Sequence, residues 1–269
     1  MKINILIATL DAGIYKVEKM LMEPITNLKY VVSHQVTEEQ FSAIPENLKR
    51  DDVVVSQLKG IGLSRNRNNT IALADGDIGL VADDDTHFKP EYIENLIDAF
   101  ESDRAIDVAC FKIATPEGKP DYKDYPHHSY LLNDASIHFV SSIEIAFRLD
   151  AVKSRGLQFH EQFGIGSPLI SYGEEAVFIH DCIKSGLKVK YIPSYVVEHA
   201  TESTVKALDE YAPERVLFKG AYDAYRYGWL AFPAAFVDLL RLWKTLNNHQ
   251  KNKLQYLKER LKGVVHIYK

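Results

Sequence analysis

Residues 78–90 read Ile78-Gly79-Leu80-Val81-Ala82-Asp83-Asp84-Asp85-Thr86-His87-Phe88-Lys89-Pro90. The apolar run Ile78 to Ala82 has the length and composition of a buried strand. Pro90 with Glu91 opens a helix. Strand, short loop and helix form the repeating unit of an α/β sheet, in which ligands bind beyond the carboxyl ends of the strands. Three adjacent carboxylates at such an end repel one another unless a cation offsets them. Hard divalent cations take carboxylate oxygens, and Mg²⁺ is commonly shared between one or two carboxylates and substrate phosphates. A solvated acidic turn ahead of a helix reads the same way from this tripeptide alone.

On either side the alternation continues. Strands are expected at Ile3 to Thr9, Tyr30 to Ser33 and Val53 to Val55, with helices at Tyr15 to Met22, Ser64 to Leu73 and Glu91 to Phe100. That order predicts a mostly parallel sheet flanked by helices. Thr115 to Tyr125 is rich in proline and polar residues and reads as a loop. Ser136 to Leu149 is strand-like and suited to antiparallel pairing. Gly173 to Lys184 is helical, and Lys188 to Val197 holds one or two strands broken by Pro193. After Glu202 the pattern is helical. Trp229 to Trp243 is expected to pack on the preceding α/β domain, and Pro233 to kink that segment or start a new helix. The predicted organisation is an α/β domain over 1–203, changing character near residue 112, with a helical extension over 204–269.

The chain has 269 residues and a net charge of −5, which gives no signal for nucleic acid. Charge is unevenly placed. From Arg241 onward eight basic residues face only Glu259, so that tail carries +7 and the preceding residues −12. Cys110 and Cys182 lie in apolar contexts and read as reduced thiols. No charged start followed by a long apolar run is present, nor any window of the ~18–20 apolar residues of a span. A cytoplasmic protein is expected, with peripheral contact to a membrane's inner face through the amphipathic basic segment Lys244 to Lys262 as one use of the tail and homodimerisation as another.

Gly60-Ile61-Gly62-Leu63-Ser64-Arg65-Asn66-Arg67-Asn68 precedes the aspartates. Glycines allow close backbone approach, Ser64 is a good N-cap, and the two arginines suit phosphate. A basic helix start and an acidic strand end together are what a diphosphate–metal complex needs. Further on, Glu174 or Glu175 could act as a general base, or could merely complement a helix N-terminus. His199, after Tyr195-Val196-Val197-Glu198, is a ligand or a structural histidine. Tyr122, Tyr125, His127, His128 and Tyr130 form an aromatic cluster in a loop, with faces suited to stacking on a ligand.

In order and spacing these segments resemble family-2 glycosyltransferases of the GT-A type. Gly62 to Asn68 with Ala74-Asp75-Gly76-Asp77 resembles the family's "G-x-S-x-x-R-N…A-x-G-D" helix. Val81 to Pro90 is similar to its DXD segment, and Phe159 to Gly164 to its "F-D-E-x-F-G" turn. Gly173-Glu174-Glu175 with Gly186 is similar to "G-E-D…G", and Tyr191-Ile192-Pro193 and His199 follow in place. The resemblance covers Ile3 to about His199. It implies a Rossmann-like α/β fold and a metal-dependent, inverting transfer of a sugar from a nucleotide-sugar donor, most readily a UDP-sugar, to a glycan or lipid-linked acceptor in surface polysaccharide synthesis. It implies Mn²⁺ or Mg²⁺ on Asp85, with Asp83 and His199 as further ligands. Thr9, Ser33, His34, Gln35, Gly62, Ser64, Arg67, Asn68, Asp83 and Asp84 would line the donor site, Arg67 facing the nucleotide. Glu175 would be the base, with Glu174 as competitor.

The sequence departs from the family in three places. The base position carries glutamate instead of aspartate. Ser33-His34-Gln35 replaces an acidic pair that reads the nucleobase. An arginine usual in the "G-E-D" helix is missing near Asp181. A sugar-phosphate nucleotidyltransferase shares the architecture, but its glycine-rich N-terminal loop is poorly matched by residues 8–16. A degenerate sugar-nucleotide-binding protein is the third reading.

Overall fold

The computed structural model describes residues 1–134, 136–137, 140–200 and 209–268. The chain forms two compact units. One comprises Met1–Glu161 and Glu174–Thr201, the other Gln162–Gly173 and Glu202–Lys269. The sequence reading places one cut near residue 203. That cut lies outside the described residues, and Gln162–Gly173 groups with the C-terminal helices instead.

The first unit is built on an eight-stranded sheet in the order β3-β2-β1-β4-β7-β5-β8-β6. Its strands are β1 (Ile3–Leu10), β2 (Leu28–Val36), β3 (Val53–Lys59), β4 (Ile78–Asp83), β5 (Val108–Ala114), β6 (Tyr130–Leu131), β7 (Ile145–Arg148) and β8 (Val189–Glu198). β3, β2, β1 and β4 are parallel. β7 enters antiparallel between β4 and β5, and β8 lies parallel to β5. In β1 every residue from Ile3 to Thr9 is buried, as expected of a central parallel strand covered on both faces.

The expected strand across Ser136 to Leu149 contracts to β7, preceded by a 3₁₀ turn at Ser142–Glu144; residues 138 and 139 are outside the described set. Pro193 does not split β8. It falls where the β5–β8 register slips, between the pairs Cys110↔Tyr191 and Lys112↔Tyr195, so its missing N–H costs no regular ladder bond.

Helices α1 (Ile14–Val17), α2 (Leu63–Leu73), α3 (Pro90–Ser102), α4 (Leu149–Ser154) and α5 (Glu174–Lys184) belong to this unit. α3 starts on Pro90 and buries Tyr92, Ile93, Leu96 and Phe100, the stripe read from the sequence. α2 begins differently from expectation. Its N-cap is Gly62, whose φ of +144° favours glycine, and Ser64 lies inside the helix and is buried.

The second unit contains α6 (Pro213–Tyr227), α7 (Ala231–Arg241), α8 (Trp243–Asn248) and α9 (Lys253–His266). Pro233 sits in the first turn of α7, where a proline is tolerated. α6 and α9 meet at two glycines. A Cβ on Gly220 would lie 2.0 Å from the Arg260 carbonyl oxygen, and one on Gly263 2.0 Å from that of Leu217. The inner stripe of α9 is thus committed to α6. No helix among the described residues is long and apolar enough to cross a membrane.

Candidate active site

The sheet register brings the sequence motifs to one edge. Ala8 lies opposite Asp83 and Thr9 opposite His34, so β1, β2 and β4 end together. There the Thr9 hydroxyl donates to Asp84 Oδ2 at 2.7 Å, and Lys16 of α1 stands 3.4 Å from Asp84 Oδ1. Burial pushes the Asp84 carboxyl up, opposed by the Thr9 bond and by Lys16. Gly13 makes this contact possible, because a Cβ there would lie 2.1 Å from Asp84 Oδ2.

Asp85 meets His199 across 114 positions of sequence, with Nε2 3.1 Å from Asp85 Oδ1. A backbone bridge explains the meeting. His87 and Glu198 exchange N–H···O bonds of 2.9 Å in both directions, and Lys89 pairs with Glu198 at 2.7 Å. The loop after β4 is therefore stitched to the end of β8. The Asp85 bond raises the proton affinity of His199, and His199 in turn holds the Asp85 carboxyl below its usual range. His199 Nδ1 lies 2.6 Å from the Ala200 carbonyl oxygen, which can only accept, so Nδ1 carries a proton; Nε2 donates to Asp85 when the ring is protonated and is the nitrogen open to a cation when it is neutral.

This donor set fits Mn²⁺ or Mg²⁺. A carboxylate oxygen and an imidazole nitrogen converge, and such ions complete their shell with phosphate oxygens and water. Among the described residues no group of three or more His, Cys, Asp and Glu is gathered to cage a metal unaided. Asp83, the further ligand that the sequence suggests, has its Oδ1 engaged by Arg67 Nη2 at 2.7 Å, and its charge adds to the raised proton affinity of His199.

Arg67 also departs from expectation. It does not face a nucleotide: the residue is 1% exposed and sits over the Phe159 ring. Besides Asp83 it binds Glu174 Oε1 at 2.6 Å and the Ser142 hydroxyl at 2.9 Å. Burial would favour the neutral guanidine, but the Asp83 and Glu174 carboxylates outweigh it and keep Arg67 charged. Arg65, two positions earlier and so on another side of α2, is the exposed arginine. The guanidinium of Arg67 thereby sorts the two glutamates. Glu174 is buried in an ion pair, whereas Glu175 stays partly exposed at the start of α5. Burial, and then repulsion from Glu174, pushes the Glu175 carboxyl up to about 8.

The remaining expected donor-site residues mostly hold the strand ends in place. Gln35 and Gly62 exchange two bonds of 3.1 Å through side chain and backbone. His34 is fully buried. Gln57 donates to its Nδ1, so its Nε2 donates to the Asp11 carbonyl, and burial lowers its proton affinity. Ser33 accepts from Asn69, and Asn68 clamps the Phe159 backbone through both its N–H and its carbonyl. Sequence reasoning missed Gly13, Lys16 and Ser142. Only their places in the fold reveal them, since each touches an aspartate or arginine more than fifty positions away. It also missed Asp11, whose carboxylate accepts from the Thr37 N–H at 2.7 Å and hydroxyl at 2.5 Å and ties the ends of β1 and β2.

Residues 34–161 match glycosyl transferase family 2. Over 109 residues the chain is 28% identical to the glucosyl-dolichyl phosphate glucuronosyltransferase of Haloferax volcanii, a match covering 38% of this chain and 35% of that protein. S. aureus TarS 1-349 superposes with a TM-score of 0.58 at 17% identity, over 74% of this chain and 60% of that one. TarS 1-349 in complex with UDP-GlcNAc gives a TM-score of 0.57 at 14% identity, over 80% and 64%. The chain thus spans about a third of its curated relative and about three fifths of TarS 1-349. The structural likeness establishes the fold, a GT-A-type mixed sheet between helices.

Proposed function

We propose that this chain, whose residues 34–161 match glycosyl transferase family 2, carries out the metal-dependent, inverting transfer of a sugar from a nucleotide-sugar donor to a glycan or lipid-linked acceptor hydroxyl. The observation that carries this reading is the sorting of acids around Arg67. One guanidinium holds Asp83 and Glu174 in ion pairs, leaving Glu175 as a carboxylate of raised basicity and Asp85 with His199 as a metal-ligand pair.

Asp85 and His199 would hold Mn²⁺ or Mg²⁺, which when bound neutralises charge on the leaving diphosphate. Lys16, half exposed beside Asp84, adds fixed positive charge at the same edge. Glu175 accepts the proton of the acceptor hydroxyl as its oxygen attacks the anomeric carbon. The bond from that carbon to the diphosphate breaks with its electron pair on the diphosphate, and the centre inverts. The UDP-GlcNAc and UDP complexes of TarS favour a UDP-sugar donor.

For the acceptor we assign a cavity of about 500 Å³ lined by Lys123, Tyr125, Tyr130, Glu144 and Tyr191. The Tyr130 and Tyr191 rings lie 5.2 Å apart. Tyrosine faces stack on sugar rings, and Lys123 with Glu144 supplies the polar groups that orient them. This is part of the aromatic cluster expected from the sequence. Tyr122 instead meets the His199 ring edge-on at 6.0 Å.

The test is a panel of nucleotide sugars assayed for hydrolysis and transfer with and without Mn²⁺. Metal-dependent release of one nucleoside diphosphate is expected. Absence of both turnover and binding for every donor overturns the enzymatic reading, and release of pyrophosphate from a sugar phosphate and a nucleoside triphosphate would identify a nucleotidyltransferase instead.

A further inference from the structure

The helical unit carries large exposed apolar side chains. Trp229 and Leu240 are each 70% exposed and Leu230 69%, and Phe236, Val237 and Trp243 are also open. They run from the turn before α7 to the start of α8, and Phe236, Leu240 and Trp243 follow at intervals of four and three residues. Isolated apolar residues on a surface are ordinary, but a contiguous stripe of this kind marks an interaction face.

Charge along the stripe has one sign. Between Tyr227 and Lys253 the basic residues are Arg241, Lys244, Lys251 and Lys253, and the sole acid is Asp238. Asp238 is turned inward, where it accepts from Lys219, Tyr256 and Arg260. Arg241 and Lys244 are exposed and continue the apolar stripe. Of the basic segment Lys244 to Lys262 that the sequence offered as a membrane contact, the part in α9 has its inner stripe engaged with α6 through Gly220 and Gly263.

We propose that the face carrying Trp229, Leu230, Phe236, Leu240 and Trp243 docks on an anionic lipid surface, with Arg241 and Lys244 meeting the headgroups. α7 has 11 residues, too few to span a bilayer but enough to lie in its interface. Trp has an apolar body and a polar N–H, which suits it to that boundary. Charge decides among occupants. Two copies joined about a two-fold axis would set this acid-free face against itself, whereas phosphatidylglycerol or phosphatidylserine headgroups complement it.

The experiment is flotation of the full chain with phosphatidylcholine vesicles containing 30% phosphatidylglycerol (a composition chosen as roughly that of an anionic membrane), and with pure phosphatidylcholine vesicles. Co-flotation with the anionic vesicles only is expected. Leu240→Asp with Phe236→Asp should abolish it, and Arg241→Glu with Lys244→Glu should lower partition at least about tenfold. All four positions are exposed, and unchanged circular dichroism and melting of the variants confirm that their fold is intact. No flotation of the parent protein overturns the proposal. So does flotation that survives Leu240→Asp with Phe236→Asp, or a dimer in sedimentation that those changes dissociate. Because the readout is binding and not turnover, failure here leaves the proposed transfer reaction untouched.

Discussion

Arg67 Nη1 donates to Glu174 Oε1 at 2.6 Å, joining α2 to α5 across 107 positions of sequence. The same guanidinium binds Asp83 at the end of β4. Both the arginine and Glu174 are nearly inaccessible to water, so each needs the other to offset its desolvation. Arg67→Met should therefore destabilise the protein by about 3–5 kcal/mol, because it strands a buried carboxylate. Urea unfolding measures this, and a loss below about 1 kcal/mol would contradict the reading.

The two adjacent glutamates should behave differently on amidation. Glu175→Gln should lower kcat by about 10²–10⁴ while donor affinity and melting temperature stay near those of the parent. Glu174→Gln should lower the melting temperature first, since it weakens the ion pair with Arg67. Steady-state kinetics paired with calorimetry separates the two. If Glu174→Gln alone removed turnover without loss of stability, the roles would be exchanged.

A base with raised proton affinity shifts the pH profile. Glu175 works only when deprotonated, and burial beside Glu174 pushes its carboxyl to about 8. The acid limb of kcat/KM should rise with pH and bend near 8, not in the ordinary carboxylate range near 4. Profiles measured with saturating Mn²⁺ check this. A profile flat from pH 5 to 9 would remove Glu175 as the base.

Removing the ligand pair should uncouple metal from donor. His199→Ala and Asp85→Asn should each weaken Mn²⁺-dependent binding of UDP, by roughly 10–100-fold if metal affinity falls as it does when a ligand's supporting bonds are lost. Binding of UDP in EDTA should change little. Isothermal titration with and without Mn²⁺ reads both quantities, and equal losses under the two conditions would point to a role without metal.

In the helical unit, Gly263→Ala tests the close approach of α6 and α9. Alanine would favour the helix intrinsically, but its Cβ would stand 2.0 Å from the Leu217 carbonyl oxygen. Overpacking should dominate, with a net loss of about 1–3 kcal/mol seen in thermal unfolding. Gly118→Ala, whose Cβ would meet nothing within 4 Å, serves as the comparison for an uncrowded glycine, although its φ of +78° adds strain of its own.

The central strands were legible because β1 and β4 are continuous apolar runs, buried on both faces and bounded by turn residues. α3 was legible from its proline start and its stripe of buried residues. β7 was harder. It is four residues long and takes its place only by pairing antiparallel with β4 and β5, neither of which is adjacent in sequence. The break of the C-terminal helices is partly legible, with Pro233 read as a kink or a new start, but α7 begins at Ala231 and Gly228 at φ +60° makes the turn ahead of it.

The sequence by itself determined the parallel core, the order of the motifs, and the meeting of acidic and basic residues at the carboxyl edge of the sheet, because local periodicity and strand ends are properties of short segments. Which charge meets which was decided only by the tertiary structure. Arg65 and Arg67 look equivalent in the chain, yet one faces solvent and the other is buried between Asp83 and Glu174. Asp83 and Asp85 look equivalent, yet one is held by that arginine and the other by His199. Burial removes the screening that makes surface charges interchangeable, so partner and protonation follow from three-dimensional position, which residue type alone does not supply.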